Sequence, residues 1–108
     1  LLSGREFDAV ASNNDEMGIG AAMALQQAGR GKGSVLIGGV DGTPDGLAAV
    51  KRGMLTASVF QDARGQARGA IEAAIKMAKG EKVEQSVWIP YELITPENVE
   101  SFQARLKQ

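Results

Sequence analysis

Three polar side chains stand just beyond three apolar runs, and their types suit one kind of chemistry. Asn14 follows Phe7-Asp8-Ala9-Val10-Ala11-Ser12, Asp41 follows Ser34 to Val40, and Gln61 follows Leu55 to Phe60. A carboxylate only accepts hydrogen bonds, whereas an amide both donates and accepts. One acid with two amides is therefore a set that can read hydroxyl groups, which do both. It is a poor set for bond chemistry, because none of the three is a good nucleophile or base near neutral pH. The chain has no histidine and no cysteine. That removes the commonest general base and metal ligand, and with them thiolate nucleophiles and disulfides. Neither metal nor cofactor is called for, and no enzyme is expected. Asn, Asp and Gln after strands also serve as turn formers and caps, and Asn13 with Glu16 could form a capping pair.

For side chains so far apart in sequence to meet, the runs before them must be parallel strands that end at one edge. The pattern agrees. Each run is followed by an amphipathic stretch: Asp15 to Ala28, closed by Gly29; Thr43 to Arg52, ended by Gly53; and Ala63 to Lys79, with Gly80 after it. Repeated β-then-α units imply an α/β fold, a parallel sheet with helices on both faces, because right-handed crossovers return each strand beside the last. Ligands bind such sheets in the crevice outside the carboxyl ends of the strands, where the three polar residues stand.

The remaining elements are a segment from Gln85 to Leu93, whose Pro90 suits an edge strand or a crossing, and a last helix from Thr95 to Lys107. The first helix, apolar nearly all round from Met17 to Ala28, is expected to be deeply packed. The third offers Ala67, Ala70, Ile71, Ala74, Ile75 and Ala78 on one face, and the last Val99, Phe102 and Leu106. Thr43-Pro44-Asp45 and Thr95-Pro96-Glu97 both read as helix starts, with a hydroxyl at the cap, proline next and an acid after it. If Thr43 is the cap, Asp41 is not needed as one.

Other chemistries fail on particular residues. A calcium loop beginning at Asp41 would need a bidentate Glu at its twelfth position, which is Arg52. Gly18-Ile19-Gly20 lies inside a helix and not in a strand-to-helix turn, so close packing is expected in place of a dinucleotide. Gly29-Arg30-Gly31-Lys32-Gly33 lacks the spacing of a P-loop. As a phosphoryl acceptor Asp41 would want a lysine after the third strand and an acidic pair for Mg²⁺, and neither is evident. The formal net charge of −1 gives no footprint for nucleic acid or an anionic membrane. No apolar run approaches the roughly 20 residues of a membrane span. The start, Leu1-Leu2-Ser3-Gly4-Arg5-Glu6, has neither methionine nor an apolar signal core, so the chain is expected to begin inside a longer protein.

Three blocks together carry a resemblance: Ser12-Asn13-Asn14-Asp15-Glu16-Met17-Gly18, then Gly39-Val40-Asp41-Gly42-Thr43-Pro44-Asp45-Gly46, then Ser58-Val59-Phe60-Gln61-Asp62. In order and spacing the chain resembles the C-terminal part of periplasmic sugar-binding proteins of the ribose- and galactose-binding class. The resemblance implies that Asn14, Asp41 and Gln61 line a cleft for a monosaccharide, pentose or hexose, between two lobes. It implies a membrane permease of an ABC transporter as partner, no nucleic acid, and a place in the periplasm or outside the cell, lipid-anchored in a Gram-positive organism. It also divides the chain into residues 1–80 as the later part of the C-terminal sugar-binding lobe, 81–94 as a hinge crossing, and 95–108 as a terminal helix belonging with the other lobe. The N-terminal lobe would supply further ligands and stacking rings. Without it the fragment should bind sugar weakly or not at all and self-associate through a bare sheet edge. Trp88, Tyr91 and Phe102 are expected as core or hinge packing. Effector cores of lactose-repressor-type regulators share the pattern, but the stretch Leu47 to Val59 lacks the proline they usually carry there.

Overall fold

The computed structural model describes residues 4–107. Residues 1–3, on which part of the chain-start reading rests, and residue 108 lie outside the described residues. The order is β1 (Ala9–Ala11), α1 (Asp15–Gln27), β2 (Leu36–Gly38), α2 (Pro44–Lys51), β3 (Ser58–Phe60), α3 (Ala63–Ala78), β4 (Glu92–Ile94) and α4 (Val99–Leu106).

β1 and β2 pair in parallel, Val10 opposite Ile37. Parallel bridges Gly38–Ala57 and Asp41–Phe60 carry the arrangement on to β3. The carboxyl ends of the first three strands thus share one edge. β4 departs from the simple βα repeat: it runs antiparallel to β3, with Val59 opposite Leu93. Residues 81–91 have neither helix nor strand, and β4 starts beside the carboxyl end of β3, Glu92 opposite Phe60.

Two compact units result: the described residues up to Phe60 together with those from Glu92 on, and Gln61–Tyr91. This division differs from the one expected at 80/81 and 94/95. α4 is the reason on one side. Its Val99 and Phe102 are buried in the first unit's core with Ile37, Leu47, Val50, Leu55, Phe60 and Ile94, and the Phe60 and Phe102 rings lie 5.2 Å apart. Within this chain its apolar stripe is covered by the first unit's core. Regular helix α4 begins at Val99, and residues 95–98 form its lead-in turn: the Val99 N–H donates to Thr95 O at 3.0 Å, and Asn98 Oδ1 takes the Thr95 N–H at 2.8 Å, the reciprocal half of a capping box.

α3 is the reason on the other side. It has no buried residue, and the face expected to reach a core leaves Ile71 61% and Ile75 49% exposed. In the same unit Trp88 is 89% exposed, so it is not core packing, unlike Phe102. α1 is likewise less deeply packed than its composition implies: Asp15 and Gly18 are its buried residues, while Met17 and Met23 are about half exposed.

Candidate functional site

Each rim residue can be followed from its element. Asn14 is the N-cap of α1, and its Oδ1 accepts the Met17 N–H at 2.9 Å. The capping role given above to Asn13 therefore falls to Asn14, and its amide NH₂ still has donors to offer. Thr43 caps α2, with Oγ1 accepting the Gly46 N–H at 3.0 Å and Pro44 next, as the sequence indicates. Its hydroxyl also donates to Glu16 Oε1 at 2.8 Å.

That leaves Asp41 without a capping task. Among the described residues its half-buried carboxylate has no hydrogen bond or ion pair. Asp41 is also the one described residue other than glycine with positive φ, at 109°. An L-residue held there is strained. The strand ladder fixes its N–H, which donates to Val59 O at 2.8 Å.

Asn14 and Asp41 are brought together within the first unit: the Asp15 N–H, next to Asn14, donates to Val40 O at 2.8 Å, next to Asp41. Gln61 directly follows Phe60, the bridge partner of Asp41, but it is the first residue of the second unit. Its Nε2 meets Gln66 Oε1 of that unit at 3.4 Å.

Sequence reasoning missed Asp15, treating it as an acid in a helix start. It is completely buried. Its Oδ2 accepts from the Gly42 and Thr43 N–H groups at 2.9 and 3.0 Å, and its Oδ1 from the Ser58 hydroxyl at 2.5 Å. A Cβ at Gly39 or at Gly46 would overlap this carboxylate. The glycines around Asp41 were the signal: they keep side chains out of the space that Asp15 fills.

Burial pushes the Asp15 carboxyl above its ordinary value of 3.8, and the bonds from Ser58, Thr43 and Gly42 only partly offset it. A carboxyl raised on folding binds more protons folded than unfolded. Its contribution to stability is whole below 3.8 and is lost as pH rises through the folded value. Asp15→Asn cannot titrate. The stability of the natural chain relative to Asp15→Asn is therefore expected to decline as pH rises above 3.8, read from urea midpoints. A difference that grows with pH would contradict the assignment.

Open α/β sheets take ligands in the crevice outside the carboxyl ends of their strands, which is the edge where the free carboxylate and the capping amide stand. Among the described residues no cluster of His, Cys, Asp or Glu could hold a metal, and no helix is long and apolar enough to cross a membrane. The family model for the periplasmic binding protein domain matches residues 1–82, and the chain belongs to that family. A Rhizobium meliloti protein named for rhizopine binding is 56% identical over 105 residues, covering 97% of this chain and 34% of its own. The ribose import binding protein of Escherichia coli is 40% identical over 94 residues, covering 87% and 31%. Among solved structures, an ABC transporter solute-binding protein from Bacillus halodurans with bound myo-inositol superposes with a TM-score of 0.86 at 50% identity, covering 95% of this chain and 35% of that one. The Caulobacter myo-inositol binding protein, bound to myo-inositol, gives 0.80 at 31%, covering 94% and 34%. The chain spans about a third of the length of these relatives.

Proposed function

We propose that this chain carries part of the ligand cleft of an ABC-transporter substrate-binding protein for a monosaccharide or related polyol, acting in the periplasm or outside the cell. Asp41, Asn14 and Gln61 are its ligands from this chain. One observation carries the reading: a half-buried carboxylate at a strand end, on strained backbone, with no partner among the described residues. Two adjacent hydroxyls give such a carboxylate the donors it lacks, and the amides of Asn14 and Gln61 read neighbouring hydroxyls. The bound myo-inositol of two structural neighbours fits that chemistry. Closure of the two lobes over the ligand would then form the surface that a permease recognises, with no bond made or broken. A thermal-shift panel of pentoses, hexoses and inositols on the intact protein tests this. At least one polyol should raise the melting temperature in a concentration-dependent way; a response to none would reject it.

The second unit belongs, on this reading, with the part of the protein that this chain does not contain. The support is its exposed large apolar side chains: Ile71, Ile75, Met77, Val87 and Trp88 are each about half exposed or more, and apolar surface left open in this way invites cover. The 108-residue chain by itself should therefore associate as concentration rises. A strictly monomeric species in sedimentation at high concentration would count against it.

A further inference from the structure

We propose that Asp15 is the positioning residue of this rim: its buried carboxylate sets the turn at 41–43 and so fixes the direction in which Asp41 faces ligand. The inference rests on the reading of Asp41 as a ligand. An acid at the first position of a helix has a bland explanation, because it stabilises the helix N-terminus. Here that explanation falls short. Asn14 already caps α1, and all the partners of the Asp15 side chain lie 27 or more positions away in sequence.

The bonds bracket Asp41. On one side the Asp15 N–H holds Val40 O at 2.8 Å, and on the other its Oδ2 holds the Gly42 N–H at 2.9 Å. Between them the Asp41 N–H is fixed to Val59 O. With the peptide groups before and after it both tied, the residue cannot relax out of its left-handed conformation without breaking a bond to a buried charge. Strained backbone persists where the surroundings over-determine it. Thr43 N–H on the same oxygen and Ser58 Oγ on the other hold the carboxylate itself in place. Asp41 is thus presented before ligand arrives, and ordering it need not be repeated at each binding event.

The test uses the intact protein, calorimetry and myo-inositol. Asp15→Ala leaves two turn N–H groups unpaired, a loss that can unfold the edge, so the isosteric Asp15→Asn is the working variant. Its neutral amide makes weaker bonds to the turn, which should lower affinity by about three- to tenfold and speed hydrogen exchange at the Gly42 amide. In an Asp41→Ala background the same change should cost less than about twofold, because a residue acting through Asp41 has nothing left to position. An Asp15→Asn affinity within twofold of the natural protein, or an equal loss in both backgrounds, would overturn the proposal alone. Unchanged affinity in Asp41→Ala would overturn the reading of the site and this proposal with it.

Discussion

Asp41→Ala in the intact protein lowers affinity for its polyol by about a hundredfold or more. Each hydrogen bond to a charged acceptor contributes about 1.5 to 3 kcal/mol, and two hydroxyls on one carboxylate bring about 3 to 6 kcal/mol, at tenfold per 1.4 kcal/mol. On the proposed reading those hydroxyls lose their acceptor inside a closed cleft, which is why the loss is expected to be large. Lys76→Ala, on an exposed part of α3, should change affinity less than about twofold. Comparable losses for the two variants in calorimetry would reject Asp41 as a ligand. Asp41→Gly sharpens the contrast. Glycine adopts φ of 109° without strain, so this variant should be as stable as the natural protein or up to about 1 kcal/mol more stable, yet bind as poorly as the alanine variant. Strain and affinity at this position then have separate readouts.

Gly46→Ala has the largest expected effect on stability. Gly46 lies in the first turn of α2, and a Cβ there would overlap the Asp15 carboxylate. Neither side can yield. α2 is tied at its start by Thr43, and the carboxylate by Gly42, Thr43 and Ser58. Displacing a buried charge from its partners costs about 3 to 5 kcal/mol. Gly20→Ala is the control. Gly20 is inside α1 with open space where its Cβ would be, so alanine should stabilise by about 0.5 to 1 kcal/mol through helix propensity. Urea unfolding reads both. Equal midpoints for the two variants would mean that the space beside Asp15 is not closed.

The sequence was a good guide where local chemistry decides. Thr43-Pro44-Asp45 capped a helix as written, and the apolar runs before Asn14, Asp41 and Gln61 became strands with a common direction. It was a poor guide where a similar signal had to choose among tertiary partners. An apolar stripe says that a helix face wants cover, not which element supplies it. Those of α3 and α4 look alike in sequence, but α4 reaches the core through Phe102 and α3 has no fully buried residue here. Asp15 was hidden for a related reason: an acid in a first helical turn satisfies a local rule, so its tertiary bonds leave no separate mark except the glycines that clear its space.

The site reduces to one contact that can be seen directly. A crystal structure of the intact protein with myo-inositol should place two adjacent ligand hydroxyls within hydrogen-bond reach of the Asp41 carboxylate, with Asn14 and Gln61 on neighbouring hydroxyls and Asp15 still bonded to the Gly42 and Thr43 N–H groups. A ligand seated elsewhere, or in the cleft with Asp41 turned away from it, would contradict the account.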